Sequence, residues 1–272
     1  MLHSIESLDK ENIIATMSRP VIIHGSDLNF HYCKYSRSAG RAYRLYKEWL
    51  IASFIPIWDF YSSPVQLLQV RPEHLHDNLG LKKSHFDAPC FALQEAPTCT
   101  ELDKQTVEVL LPRLISPSLK ADFLKLCFFD IWIANEDRSH NNYNILLVHE
   151  HERYQLFPID HEACFNHLEL SGNLLPITYE ESLIYSEAFA RLYKPKDLDD
   201  KLLDIYKDQY YLYIDKCGQQ LPNILTKMPA EWQIDAKSEQ EILARFLFDN
   251  AWISEAWNTF KDYIRLFILD HA

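Results

Sequence analysis

The sequence predicts an α+β fold in which a small strand-rich part comes first and a larger helical part follows. Short apolar runs bounded by polar or Pro-containing turns dominate the first third of the chain, as is typical of strands. After residue 160 the apolar residues recur mainly at helical spacing. With 272 residues, 47% of them hydrophobic, the chain can bury one large core or two lobes. Strands followed by helices indicate the α+β class.

Each predicted element follows from a local pattern. Two strands, at residues 21–23 and 30–35, flank a polar turn. A helix is expected at residues 41–55, because apolar side chains recur there at helical spacing, namely Tyr43, Tyr46, Leu50 and Phe54. The other expected strands are residues 65–70, 89–94, 145–148 and 154–159. The other expected helices are residues 118–134, 180–193, 197–217, 222–228 and 239–272, with breaks at Pro222 and Pro229.

Composition and charge exclude several classes of protein. The net charge of -12 argues against a nucleic-acid-binding surface, which is normally basic, so we expect no direct nucleic acid binding. The 6 Cys are scattered without a C-x-x-C pair, which indicates reduced thiols. The N-terminus lacks a signal-peptide pattern, and no apolar stretch approaches the roughly 20 residues that span a membrane. We therefore expect a soluble, cytoplasmic protein with no membrane span.

Three polar side chains in the middle of the chain lie beside apolar segments. Asp137 follows one such segment, Asn144 directly precedes the predicted strand 145–148, and Asp160 ends the predicted strand 154–159. Because the ends of paired strands lie close together, these groups can converge. A carboxylate can orient an attacking hydroxyl while an amide and a second carboxylate hold Mg²⁺ against phosphates. A polar hairpin turn is the alternative for the Asn-rich loop, but Asp160 favours a phosphotransferase site.

The same stretch carries a resemblance to a known family. The run DIWIANEDRSHNNYNILL at residues 130–147, followed by FPIDH at residues 157–161, resembles the catalytic and metal-binding loops of HipA-like kinases, which are bacterial members of the protein-kinase-like superfamily. The resemblance implies a bilobal kinase-like fold, with an N-lobe at residues 1–95 and a C-lobe at residues 96–272. It also implies ATP and Mg²⁺ as cofactors, Asp137 as catalytic residue, and Asn144 and Asp160 as metal ligands.

The sequence departs from the better-known HipA toxins in two respects. Its catalytic loop is two residues longer, which makes Asn142 a rival to Asn144 as metal ligand. Asn144 is preferred because it directly precedes the strand, where the family's Asn lies. We also expect the chain to lack the extra N-terminal domain of full HipA toxins. The loops are similar to those of phosphatidylinositol 4-kinase-like enzymes as well, so they indicate the superfamily more firmly than the acceptor.

The resemblance also assigns residues that bind the nucleotide. Lys34, in the strand 30–35, and Glu48, in the helix 41–55, are implied as the ion pair that directs a Lys toward the α- and β-phosphates. Arg41 and Lys47 are the competing charges. The turn that contains Gly25 is implied to approach the phosphates, although it is not Gly-rich. The backbone expected to bind adenine at the hinge belongs to Gln94, Glu95 and Ala96.

These inferences predict an ATP- and Mg²⁺-dependent phosphotransferase that moves the γ-phosphate of ATP to an unknown hydroxyl-bearing acceptor. A serine/threonine protein kinase is the expected type, and a lipid or small-molecule acceptor stays open. Two other classes are alternatives. A pseudokinase would bind nucleotide and regulate without turnover. A metal-dependent hydrolase would use the polar cluster at residues 149–152, which includes His149 and His151, together with His161.

Overall fold

The structure, a computed structural model, describes residues 1–14, 19–37, 42–96, 98–150, 153–167 and 169–271. The chain forms two compact units. The small unit comprises Met1–Ser53, Ser62–Pro97 and Asn223–Ala236, and the larger unit comprises Phe54–Tyr61, Thr98–Pro222 and Lys237–Ala272. The predicted boundary between an N-lobe and a C-lobe, at residues 95 and 96, stays a prediction. The sequence did not predict that Asn223–Ala236 belongs to the small unit.

The small unit is built on a five-stranded sheet. Its strands are β1 (Leu2–His3), β2 (Val21–His24), β3 (Phe30–Lys34), β4 (Val65–Gln69) and β5 (Cys90–Gln94). They lie in the order β1-β4-β5-β3-β2, in which the β1–β4 pair is parallel and the other pairs are antiparallel. Successive side chains of a strand point to opposite faces of the sheet, and Val21, Ile23 and Cys33 all point to the face that is buried in the core. The predicted strands are therefore confirmed, whereas β1 is too short to show a period.

Helix α1 (Tyr43–Phe54) is the helix predicted near residue 41. The four side chains at helical spacing that predicted it are all buried. The helix also buries Glu48, which is only 1% exposed. Arg41, the predicted first residue and one of the competing charges, lies outside the described residues.

The larger unit contains a second, antiparallel sheet and most of the helices. Its strands, in spatial order, are β6 (Cys99–Glu101), β7 (Ile145–Glu150) and β8 (Arg153–Pro158). The helices that follow α1 along the chain are α2 (Lys104–Val109), α3 (Leu111–Leu114), α4 (Pro117–Trp132), α5 (Glu187–Leu192), α6 (Asp200–Leu225), α7 (Ala236–Phe246) and α8 (Asn250–Asp270). Strand β6 was not predicted, because its three exposed residues show no apolar alternation.

Helix α4 leads into the candidate site and is the most buried helix of its unit. Ser116 caps its N-terminus by accepting a hydrogen bond from the Leu119 amide at 3.2 Å. All its side chains from residue 123 to residue 132 are buried, including those of Lys125 and Asp130, which explains why the other residues there are apolar on every face. Trp132, at its end, stacks on Trp58 and donates its indole N–H to the Leu247 carbonyl at 3.1 Å. The last turn of α4 is thereby held in a fixed position.

The helix bounds predicted in the C-terminal half were wrong at three places. The stretch 180–193 is not one helix, because α5 begins only after Ser186, which caps it. Helix α6 continues through Pro222, where a break was predicted. Pro222 lies in the last turn, where its missing N–H removes one helical hydrogen bond and only three helical residues follow it. The stretch 239–272 forms α7 and α8, and the carboxylate of Asp249 caps α8.

The cysteines are free thiols, as predicted, and Cys99 is the exposed member of the six. Burial raises the pKa of Cys90 to about 12, so this thiol stays protonated and unreactive at neutral pH. Among the described residues, no helix has both the length and the apolar character needed to cross a membrane.

Candidate active site

The polar loop after α4 brings Asp137 together with both of the rival amides. The carboxylate Oδ2 of Asp137 accepts a hydrogen bond from Asn144 Nδ2 at 2.9 Å and another from Asn142 Nδ2 at 3.0 Å. Asn142 is exposed and Asn144 is half-buried. Contact with Asp137 therefore does not choose between the two amides.

Asn144 has a second contact, which connects it to the segment that carries Asp160. Its carbonyl accepts the amide N–H of Ile159 at 2.9 Å, which extends the β7–β8 ladder by one step beyond the Ile145–Pro158 pair. Ile159 immediately precedes Asp160. Asn144 and Asp160 therefore lie at the same end of the hairpin, as the sequence predicts for the ends of paired strands.

Both predicted metal ligands have left-handed backbone conformations. The φ angle is 48° at Asn144 and 56° at Asp160. Asn and Asp tolerate this region better than most residues, because their short polar side chains can bond locally. Ala134, just before the loop, has a φ of 48° without that advantage. Strained backbone of this kind concentrates at functional sites.

Arg138 joins the segments that carry the three polar groups. Its guanidinium is fully buried and forms an ion pair with Asp130 of α4. It also donates to the Ile159 carbonyl at 2.8 Å and to the Asn144 carbonyl at 3.4 Å, and it contacts His161 Nδ1 at 3.2 Å. Burial and these contacts make Arg138 part of a structural salt bridge, and its guanidinium is engaged inside the protein.

Asp130 and Asn135 complete this internal network. Asn135 donates its side-chain N–H to Asp130 at 3.1 Å and accepts the Asp137 amide at 3.3 Å, so it braces the loop. Burial raises the pKa of Asp130 to about 6, whereas the Arg138 guanidinium and the Asn135 hydrogen bond lower it. Asp130 is therefore ionised at neutral pH, when it balances the charge of Arg138.

In the small unit, Lys34 and Glu48 form an ion pair. Lys34 Nζ lies 2.5 Å from Glu48 Oε1, and the Glu48 side chain is 1% exposed while that of Lys34 is 16% exposed. The pair joins the end of β3 to the middle of α1. Lys47, one of the two competing charges, is buried on α1 next to Glu48. The structure therefore brings together the two residues that the resemblance selected.

The sheet face that carries Lys34 also presents an apolar wall that the sequence did not reveal. In register, Tyr32 lies opposite Ile22 on one side and Leu93 on the other, two residues before Lys34 on the same face. Tyr32 is 37% exposed, so part of this wall is open to solvent. Alternation in residues 30–35 places Tyr32 and Lys34 on one face of the sheet. Only the strand register shows which residues of the neighbouring strands lie beside Tyr32 in the apolar wall.

The turn between β2 and β3 is hydrogen-bonded both within itself and to β1. The Gly25 amide donates to the Asn29 carbonyl at 2.9 Å, and the Ser26 amide donates to the His3 carbonyl at 2.8 Å. A Cβ atom at Gly25 would lie 2.7 Å from the Asp27 carboxylate, so a larger residue here would have to displace that side chain. In this conformation, the Gly25 amide is engaged within the turn and not directed at a ligand.

The predicted hinge follows β5 directly. Gln94 ends β5 opposite His31, and the Glu95 amide donates to the Phe30 carbonyl at 2.9 Å. The carboxylate of Glu95 accepts a hydrogen bond from the Tyr32 hydroxyl at 3.4 Å, and Ala96 is buried. The predicted hinge therefore lies directly beside the wall formed by Tyr32 and Leu93.

The structure does not bring together the histidines of the alternative hydrolase site. His149 is exposed at the far end of β7, four residues and roughly 13 Å from the end near Asp160. His161 is buried beside Arg138 at the near end. His151 and Glu152 lie outside the described residues. His149 and His161 therefore cannot share one metal ion in this conformation.

Comparison with known proteins agrees with these observations. A family model described as HipA-like kinase matches residues 10–259. The fold is similar to that in the crystal structure of a Helicobacter pylori proinflammatory kinase, CtkA, with a TM-score of 0.56, 11% sequence identity, and coverage of 99% of this chain and 98% of that one. At this identity the likeness shows the fold alone, and it confirms the predicted kinase-like α+β fold. No curated protein sequence matches the chain.

Proposed function

The chain belongs to the HipA-like kinase family, and on that basis we propose that it transfers the γ-phosphate of ATP, with Mg²⁺, to a hydroxyl acceptor. The observation that carries this proposal is the connected arrangement of the three polar groups in the larger unit. Asp137 accepts a hydrogen bond from Asn144, whose carbonyl is bonded to the residue before Asp160. The two carboxylates and the amide thus lie on directly bonded segments at one end of the hairpin.

The donor set suits Mg²⁺. Asp160 offers a carboxylate and Asn144 an amide oxygen, and Mg²⁺ prefers hard oxygen ligands of this kind. Because Asn144 Nδ2 is bonded to Asp137, the amide oxygen is the atom that remains to hold a metal ion. When bound, the ion supplies charge neutralisation and alignment of the β- and γ-phosphates. Asn142 is the second candidate, because its Nδ2 is bonded to the same carboxylate.

Asp137 is the proposed catalytic residue. In the transfer, the acceptor oxygen forms a bond to the γ-phosphorus, the bond from that phosphorus to the β,γ-bridging oxygen breaks, and ADP leaves. The hydroxyl proton passes to the Asp137 carboxylate. Both amides bond Oδ2, so Oδ1 is the atom proposed to face the acceptor. The two amide contacts keep the carboxylate in one orientation, which is the positioning that this chemistry requires.

In the small unit, Lys34 is proposed to contact the α- and β-phosphates. Its ion pair with buried Glu48 directs the ammonium group, as in other kinases. The wall that includes Tyr32 and Leu93 offers an apolar surface on which adenine can stack. The proposed adenine hinge comprises Gln94, Glu95 and Ala96. Gly25 stays a proposed part of the phosphate-covering turn, although its amide is bonded within that turn.

The proposed acceptor is a serine or threonine of a protein, with a lipid or small-molecule hydroxyl as the alternative. Turnover is favoured over a pseudokinase role because Asp137, which metal binding alone does not need, is present and oriented. The free thiols support a reducing, cytoplasmic location. The net charge of -12 supports a function without direct nucleic acid binding.

The test is denaturation of the wild type with ATP alone and with ATP plus Mg²⁺. A ligand that binds only the folded state stabilises it by about 2.7 kcal/mol at 100 times its Kd. We expect Mg²⁺-dependent stabilisation in the wild type and its loss in Asp160→Asn. Glu150→Gln is the matched control, because this half-buried carboxylate lies at the opposite end of the same hairpin. No stabilisation of the wild type by ATP with Mg²⁺ would refute the proposal.

A further inference from the structure

A segment from the C-terminal half of the chain holds the helix that carries Glu48. This segment, Asn223–Ala236, belongs to the small unit together with β3, β5 and α1. We call it the bracing segment. Its contacts with α1 occur at two separate points, one at the start of the helix and one beside Glu48.

The first contact is made by Trp232, whose side chain is fully buried. Its indole N–H donates to the Pro89 carbonyl at 2.8 Å, immediately before β5. Its backbone carbonyl accepts the amide N–H of Ala42 at 3.0 Å, immediately before α1. One residue of the bracing segment therefore connects the beginning of α1 to the beginning of β5.

The second contact is made through Trp49, the neighbour of Glu48 in α1. The indole N–H of Trp49 donates to the Ile224 carbonyl at 3.3 Å, near the start of the bracing segment. Its ring also packs edge-on against Trp232, with centroids 6.2 Å apart. Helix α1 is thus held against translation along its axis and against rotation that would turn Glu48 away from the sheet.

A rigid turn presents Trp232 to these partners. Pro229 has its φ restricted by its ring and precedes the 3₁₀ turn Ala230–Trp232, and Gln233 follows in the left-handed region with a φ of 55°. The Gln233 amide closes the turn on the Ala230 carbonyl at 3.0 Å. A non-glycine residue in this conformation costs free energy that the surrounding contacts must offset.

We propose that Trp232 is a positioning residue for the kinase reaction, because it sets the distance between α1 and the sheet at which Glu48 meets Lys34. The inference rests on the proposed function, in which that ion pair directs Lys34 to the nucleotide. Strand β5 is paired directly with β3, and Phe91 lies opposite Lys34. By connecting α1 to β5, Trp232 therefore fixes the helix relative to the strand that carries Lys34. The chain itself supplies the brace that keeps this pair formed.

The test compares two Trp→Phe variants that each lose one buried indole hydrogen bond. Trp232→Phe keeps an aromatic ring but loses the bond to Pro89. Trp252→Phe, the control, loses the bond from Trp252 to the Trp132 carbonyl at 2.9 Å in the larger unit. We expect hydrogen exchange of the α1 amides to be about two- to tenfold faster in Trp232→Phe than in the control, as loss of one hydrogen bond implies.

The kinetic readout separates positioning from a general loss of stability. At a temperature where both variants are folded, kcat/KM for ATP is expected to fall about tenfold or more in Trp232→Phe and to stay near wild type in Trp252→Phe. In a Glu48→Gln background, Trp232→Phe should have no further effect, because the pair through which it acts is already lost. An equal loss of kcat/KM with and without Glu48 would overturn the proposal.

The failures of the two proposals are distinguishable. Absence of phosphotransfer in the wild type overturns the proposed function, whereas unchanged exchange of the α1 amides in Trp232→Phe overturns the bracing role. If Trp232→Phe does not fold, Trp49→Phe tests the same brace at its other end, because it removes the bond to the Ile224 carbonyl and keeps a ring. Unchanged exchange and unchanged kcat/KM in that variant would also refute the inference.

Discussion

Replacing Arg138 with Met is expected to destabilise the larger unit and to disorder the candidate active site. The guanidinium is fully buried, and its partners are the Asp130 carboxylate, the carbonyls of Asn144 and Ile159, and the ring of His161. Met has similar length and fills much of the same volume, but it donates no hydrogen bond. The substitution therefore isolates the loss of charge and hydrogen bonds from the loss of packing.

The magnitude follows from what the substitution leaves behind. Removing one partner of a buried ion pair costs about 3–5 kcal/mol, because the remaining charge is buried without compensation. Here the remaining charge is Asp130, which is 1% exposed. Its Oδ2 atom already lacks a hydrogen bond within the part of the chain that the structure describes. The Ile159 carbonyl loses a bond at 2.8 Å as well, which adds about 1 kcal/mol. The expected total is about 4 kcal/mol or more.

The cost is also expected to depend on pH. The pKa of Asp130 is about 6 in the folded protein and exceeds its ordinary value of 3.8, so its titration lowers stability as the pH rises from about 4 to 6. Without Arg138 the folded pKa moves higher still, and the loss of stability continues to higher pH. Arg138→Met should therefore cost more at pH 8 than at pH 5, by about 1.4 kcal/mol for each unit of additional pKa shift.

The assay is urea denaturation at the same two pH values as above, with unfolding monitored by circular dichroism. Arg191→Met is the matched control, because Arg191 pairs with Glu187 on an exposed helix face and should cost no more than about 0.5 kcal/mol. Adding Asp130→Asn to Arg138→Met should recover part of the loss, since both charges are then absent. A cost below about 1 kcal/mol, or one that is equal at the two pH values, would refute this account of the buried pair.

Two further predictions concern the loop itself. Asp137→Asn should reduce phosphotransfer by about a hundredfold or more while Mg²⁺-dependent stabilisation by ATP persists, and equal turnover in the variant and wild type would contradict a catalytic role. Asn144→Ala should abolish that stabilisation whereas Asn142→Ala should retain it, because the Asn144 carbonyl bonds the residue before Asp160 and the Asn142 carbonyl bonds Ser139. A denaturation series with increasing Mg²⁺ measures this, and the reverse ranking would make Asn142 the ligand.

Much of the candidate site could be predicted because its residues lie beside apolar segments whose structure is local. Asn144 and Asp160 flank strands that alternate or end in apolar residues, and strand pairing then places them at one end of a hairpin. Lys34 and Glu48 lie on a strand and a helix with clear periodicity. Their roles in binding ATP and Mg²⁺ stay predictions, but the proximity of the partners follows from short-range patterns and the order of elements.

The bounds of the later helices were harder to predict from the sequence, for a physical reason. Proline ends a helix only where its missing N–H and its ring conflict with the surrounding turn. Pro222 lies near the C-terminus of α6, where it costs one helical hydrogen bond but does not end the helix, which continues to Leu225. Caps at Ser186 and Asp249 instead mark two helix starts that apolar periodicity alone had merged with their surroundings.

Contacts between residues far apart in the chain were decided by the tertiary structure. Nothing near Trp232 in the sequence indicates that its indole N–H reaches Pro89, 143 positions earlier. Likewise, an Arg beside a catalytic loop is compatible with phosphate binding or with a salt bridge, and only burial beside Asp130 selects the second. Periodicity reports which face of an element is apolar, whereas the identity of the partner depends on how the chain folds back. The sequence therefore predicts the candidate chemical groups, whereas the contacts that hold these groups in position are determined by the tertiary structure.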